Sequence, residues 1–331
     1  MLRPTYASLI SLLVPPLTAC GADAPDPGVT ASTGPYFEKA MFFNMDVSDV
    51  PAAADSASQI AAIRAAGGWG NNDRMRIDFG ITVVTADAMS PMRTFIPNQY
   101  HQTPDCDSME IPLPYGGNIE GESSYKCEGN GDCHLIVNDP VNGMLYEMWR
   151  ADVRSTLTFN GGCLAVWDTR RHYDDTLRGD QCTSADAAGL PIAPMLFDAD
   201  EVAAGEIDHA IRFVLPNDRI RQGFVRPATH GAYTEGMLEA PYYGVHLRLR
   251  ADYPVENLPS AGARVVAQAM QKFGMVHADG GEYALTAASD KFTTAKWSGL
   301  LGADDLSALT VEDFEVIDHG TSFALSNDCT R

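Results

Sequence analysis

Arg76-Ile77-Asp78-Phe79-Gly80-Ile81-Thr82-Val83 alternates without a break. In an extended chain Ile77, Phe79, Ile81 and Val83 share one face, the signature of a half-buried strand. Residues 243–253 repeat the pattern, with Val245, Leu247 and Leu249 opposing His246, Arg248 and Arg250. Working outward, further strands are expected at 134–137, 144–151, 163–167, 207–215 and 275–277. Helical signals are fewer. Residues 56–66 are Ala-rich and stop at Gly67-Gly68, a glycine terminator. Asp198-Ala199-Asp200-Glu201 starts like a capping box and Gly205 ends the short helix that follows. Residues 262–273 place Val265, Val266, Met270 and Phe273 at helical spacing before Gly274. The sum predicts a mainly β chain, an antiparallel β-sandwich or jelly roll with about three short helices.

The chain has 331 residues, with 44 Asp and Glu against 23 Lys and Arg and a formal net charge of -21. With 45% hydrophobic residues it can bury a large core. Its acidity argues against nucleic acid as a partner and against docking on anionic lipid by charge. No GxGxxG, P-loop or GxSxG motif occurs, which removes the usual signals of dinucleotide, nucleotide and serine-hydrolase chemistry.

Arg3 precedes a short apolar run that begins Leu9-Ile10-Ser11-Leu12-Leu13-Val14 and ends near Leu17, too short to span a bilayer. Leu17-Thr18-Ala19-Cys20-Gly21 resembles the lipobox of bacterial lipoproteins. The resemblance implies cleavage before Cys20, acylation of that residue, and a protein of the cell envelope held to the membrane by lipid alone. Residues 1–19 are then a signal peptide, 20–35 the lipidated cysteine and a flexible tether, and 36–331 one globular β-rich domain. Six cysteines remain: Cys106, Cys127, Cys133, Cys163, Cys182 and Cys329. In an exported protein they read as up to three disulfides with fifteen pairings open. Zinc is the competing reading, and no CxxC pair supports it.

The densest polar blocks lie between Trp167 and Tyr253. They include Thr183-Ser184-Ala185-Asp186-Ala187-Ala188-Gly189, Gly205-Glu206-Ile207-Asp208-His209-Ala210-Ile211-Arg212-Phe213, Arg226-Pro227-Ala228-Thr229-His230 and Pro241-Tyr242-Tyr243-Gly244-Val245-His246-Leu247-Arg248. From about 132 to 318 this succession resembles a set of secreted bacterial and fungal proteins with such blocks in this order. The resemblance implies export and names no reaction.

Residue chemistry must then supply the candidates. Glu147 shares a strand face with Leu145 and Trp149, where an acid costs several kcal/mol unless paired, so it is a candidate general acid. Asp186, in a small apolar run, is its carboxyl partner for a hydrolase, the separation of the two setting the stereochemical outcome. For β-elimination His209 or His230 takes the proton, Tyr243 protonates the leaving oxygen, and Arg212 or Arg248 neutralises a uronate carboxylate. His246 and Trp149 complete the substrate-binding candidates. The reading is a lipid-anchored protein acting on an extracellular polysaccharide as hydrolase or lyase; the alternatives are a non-catalytic carbohydrate-binding or adhesion module and a structural envelope protein. The discriminating observation is whether Glu147, Asp186, His209, Arg212 and His230 meet in one open cleft. No cofactor is expected. His134, His209, His230, His246, Glu206 and Asp186 lack metal-ligand spacing, and Asp105-Cys106-Asp107 and Asn71-Asn72-Asp73 are the places for a structural calcium, though neither matches an EF-hand loop.

Overall fold

The computed structural model describes residues 36–326 and 328–331. The leader, Cys20 and the tether fall outside the described residues. Strands dominate, in three sheets. The largest has six strands in the order β1-β12-β9-β11-β10-β13. These are β1 (Ile77–Ile81), β9 (Ile211–Leu215), β10 (His246–Leu249), β11 (Met275–Gly280), β12 (Leu285–Ala288) and β13 (Phe314–Val316). A four-stranded sheet runs β2 (Val83–Thr85), β5 (Leu135–Asp139), β6 (Met144–Trp149), β8 (Cys163–Asp168), and a three-stranded one runs β4 (Ile111–Pro112), β3 (Met92–Pro97), β7 (Thr158–Gly161).

The run quoted at the outset breaks at Thr82. Its first half, β1, belongs to the six-stranded sheet and its second half, β2, to the four-stranded one. The pairing departs from the expected antiparallel sandwich or jelly roll. The sheets are mixed, with β1·β12, β9·β11, β2·β5 and β3·β7 parallel. Alternation could not reveal this, because side chains alternate faces in parallel and antiparallel strands alike.

The four-stranded sheet is buried on both faces. Ile136, Leu145, Ala165 and Trp167 point into one core with Ile211, Phe213 and Leu247 of the six-stranded sheet. Leu135, Val137, Tyr146, Met148 and Leu164 point into a second core with Phe95, Ile111 and Phe159. Strand β10 is likewise buried along its whole length, so its apparently polar face is internal. The expected strand over 207–215 begins only at Ile211, since Ala210 N–H goes to the Phe43 carbonyl and His209 Nδ1 turns back on the Ala210 carbonyl.

Helix α1 (Ser56–Ala65) stops where Gly67 and Gly68 take φ of 110° and 69°. The segment α2 (Gly70–Asp73) is a left-handed turn, with Asn71, Asn72 and Asp73 at φ of 52°, 61° and 60°, the residues that best tolerate this region after glycine. In α3 (Ala199–Ala204) Asp198 accepts from Glu201 N–H and the Glu201 carboxylate accepts from Asp198 N–H, each at 2.9 Å. Helix α4 (Ala261–Lys272) is capped by Ser260 and turns sharply into β11. The turn needs Gly274, at φ 70°, where a Cβ would stand 2.6 Å from His246 Nε2. Helices α1 and α4 add Ile60, Ile63, Val266 and Met270 to the first core.

The six cysteines pair as Cys106–Cys163, Cys127–Cys133 and Cys182–Cys329, which leaves none of them for zinc.

Candidate functional site

An open cavity of about 640 Å³ lies where loops of the sheets meet. Its floor is set by residues 182–190. Cys182 is fixed to Cys329, Arg178 donates to the Thr183 carbonyl at 2.6 Å, and Ser184 Oγ donates to the Leu190 carbonyl at 2.6 Å. Gly189, at φ 75°, closes the loop where a Cβ would meet Thr229 Oγ1 at 2.2 Å. The result holds the Asp186 carboxyl, fully buried at its side chain, against Arg212 of β9.

Arg212 grips Asp186 with two parallel bonds, Nη2 at 2.6 Å and Nε at 2.7 Å, and its Nη1 donates to Thr286 on β12 at 2.9 Å. This bidentate fork is the strong form of the ion pair. A second carboxyl joins it. Asp279 stands 3.6 Å from Arg212 Nη2 and neighbours Asp186. A register shift between His277 and Asp279 turns its side chain toward the cavity, the usual effect of a bulge. Asp279 Oδ1 accepts from Gly280 N–H at 2.7 Å, and the side chain keeps 24% exposure. Burial and the neighbouring Asp186 push its carboxyl well above the ordinary range, with Arg212 opposing. Two carboxyls thus share one guanidinium, and at Asp279 burial and the neighbouring Asp186 favour the protonated form.

Tyr243 lines the same floor. Its hydroxyl is buried without a hydrogen-bond partner among the described residues, and its ring stacks on His277 at 4.8 Å. On the wall, His230 Nδ1 lies 2.9 Å from the Ala187 carbonyl. A carbonyl only accepts, so Nδ1 carries the proton and Nε2 is the acceptor of the neutral ring. Trp149 forms the opposite side, its Nε1 donating to Asp132 at 2.9 Å and its ring meeting Tyr100 edge-on at 5.4 Å.

Of the residues singled out from sequence, the cavity gathers Asp186, His230, Tyr243 and Trp149. Arg212 lies just behind it, with both its charge and its fork committed to Asp186. The others are elsewhere, each sealed. Glu147 is wholly buried and accepts from Ile192 and Ala193 N–H and from Trp167 Nε1. Burial pushes its carboxyl up to about 7 and these donors oppose it; it ties two layers together and meets no solvent. His209 lies 3.3 Å from Glu201 behind α3. His246 bonds the Phe273 carbonyl at 2.6 Å. Arg248 forms a pair with Glu315 at 2.7 Å and caps the Val47, Ser48 and Val50 carbonyls.

The proposed calcium positions are also occupied from within. Asp107 binds Arg178, Arg331 and the Val166 N–H, Asp105 takes the Thr183 N–H, and Asp73 takes Arg64 and the Trp69 N–H. Asp105 also clusters with Cys182 and Cys329, but a disulfide offers no thiolate to a metal.

Sequence reasoning missed Asp279, Asn217 and Asp132 and read Asp105 only as a calcium ligand; all four line the cavity. Asp279 does carry a local signal, an acid and Gly-Gly closing the apolar run 275–278. Comparison of the chain with protein-family models, curated proteins and solved structures finds no match.

Proposed function

We propose that the cavity is a binding pocket for one unit of an extracellular polysaccharide, carried by a lipid-anchored protein of the bacterial cell envelope. The observation that carries this reading is the pairing of an aromatic wall, Trp149 with Tyr100, and a floor of carboxyl and hydroxyl groups in a cavity of about 640 Å³. Such a mix of stacking faces and a few placed polar groups is the usual make-up of a small-ligand site. The sealing of Glu147, His209 and Arg248 in internal bonds favours binding over the catalysis first expected of them. The anchor rests on the lipobox resemblance at 17–20, and the pairing of all six cysteines after Cys20 suits an oxidising compartment.

Retention of the full chain on insoluble polysaccharides tests the reading. Trp149→Ala and Asn217→Ala should each weaken retention roughly tenfold, about 1.4 kcal/mol, with the fold intact. Unchanged retention in both would remove the pocket from the function.

A second reading, hydrolysis, has its own support in the raised Asp279 carboxyl and in His230, whose Nδ1 is turned to the Ala187 carbonyl, a candidate acid and a candidate base on one cavity. It requires product release that Asp279→Asn and His230→Gln abolish while binding persists. β-Elimination on a uronate is less well supported, because Arg212 has no free edge for a second carboxylate.

A further inference from the structure

Among the described residues the cavity lining contains Asp105, Asp132, Asp186 and Asp279 and neither Lys nor Arg. At its floor two carboxyls meet one guanidinium, so the cluster is one cation short, and the carboxyl left over is the one that opens on the cavity. Beside it the buried Tyr243 hydroxyl lacks a partner among the described residues, an arrangement that costs about 1–3 kcal/mol unless a ligand atom completes it. Arg150 does not line the cavity; its guanidinium lies over the Trp149 and Tyr100 rings at 5.0 and 5.2 Å. From this geometry we infer that the pocket takes a primary ammonium group, which pairs with Asp279 and donates a further hydrogen bond to the Tyr243 hydroxyl oxygen, so that the bound glycan unit is an amino sugar with a free amine. The inference rests on the binding reading above and narrows it.

The step is a pairing with proton release. The ligand arrives as R–NH3+, Asp279 gives its proton to solvent, and the carboxylate so formed pairs with the ammonium. No covalent bond changes. The groups facing the Asp279 carboxyl are Asp186 from the 182–190 loop, Arg212 from β9 and Tyr243 ahead of β10, with His277 two residues earlier on β11. Glu120 acts more remotely, through Arg212. None of them supplies the missing cation.

Titration calorimetry on the full chain tests this, in phosphate and in MES, a tertiary-amine buffer, at a mildly acidic pH that keeps the ligand amine charged. The probes are a short glucosamine oligomer, the same oligomer N-acetylated, a galacturonate oligomer and butylammonium. The inference expects the glucosamine oligomer to bind at least roughly tenfold tighter than its N-acetylated counterpart. Binding should release roughly one proton per site, a release that Asp279→Asn removes. Equal or tighter binding of the N-acetylated or galacturonate oligomer overturns the inference and leaves the glycan reading standing. Butylammonium binding as tightly as the glucosamine oligomer, with the same proton release, supports the ammonium site and overturns the glycan reading. Binding by none of the probes overturns both. Where Asp279→Asn does not fold, the difference in heat between the two buffers on the unaltered chain decides the matter.

Discussion

A carboxyl group placed on an apolar face needs donors, and Glu147 finds them in backbone N–H groups of Ile192 and Ala193 and the Trp167 indole. The anomaly was legible in the strand 144–149, where parity puts an acid among Leu145 and Trp149. Its resolution was not, because two of the donors come from a loop more than forty positions away. Glu147→Gln keeps the shape and turns an acceptor into an NH2 that faces another N–H. It should cost about 2 kcal/mol of stability, read by denaturant unfolding, with ligand retention unchanged. A loss near zero would show that the carboxyl contributes little to joining the layers. Asp279 is the converse case, a modest residue in the sequence that gains its character from Asp186 and Arg212, and those are partners that no local pattern announces.

At the level of elements, punctuation was the most readable feature. The Gly67-Gly68 stop, the Asp198 capping box and the Gly274 turn all act over a few residues, and all stand where the sequence puts them. Strand pairing was less readable, since it depends on which distant segment arrives alongside. Strands β10 and β11 show the result: His246 and His277 look like members of polar faces and are enclosed. Burial holds both imidazoles down at about 4, below the ordinary 6.5. Because the folded value is depressed, their neutral forms support the fold above pH 6.5, and that support is lost as pH falls toward about 4. Each is worth about 3 kcal/mol across that window. His246→Gln, which can still donate to the Phe273 carbonyl, should flatten the acid side of a stability-against-pH curve measured by urea midpoints; an unchanged slope would contradict the assignment. Glu120 and His134 act differently. Although burial disfavours both charges, mutual contact at 2.7 Å holds the carboxyl down at about 2 and the imidazole up at about 9. The histidine's share is full below pH 6.5 and fades as pH rises through about 9, while the carboxylate's is full above 4.5 and fades toward about 2.

On the scale of the whole molecule, the disulfides differ in reach. Cys182–Cys329 closes a separation of 147 residues and Cys127–Cys133 one of six. Chain entropy then assigns about 5 kcal/mol to the first and about 2 kcal/mol to the second. Replacing each pair by serines should lower the melting temperature far more for the long link, and the reverse order would mean that local packing outweighs loop closure. The long link also carries the loop that presents Asp186, so its loss should loosen the cavity floor.

The two sheets are also joined directly along the chain at Thr82. A single stretch of backbone leaves the six-stranded sheet at Ile81 and enters the four-stranded one at Val83, and Thr82 between them is held by Asn118 at 2.8 Å, itself clasped by Lys291 at 2.7 Å. Those two bonds pin the crossing between the sheets. The margin of the hollow is tied to the same body: Glu235 and Gly236 N–H go to the Asn217 and Ile220 carbonyls, so that a ligand arriving there meets a rim with Tyr233, Met237 and Leu238 turned to solvent.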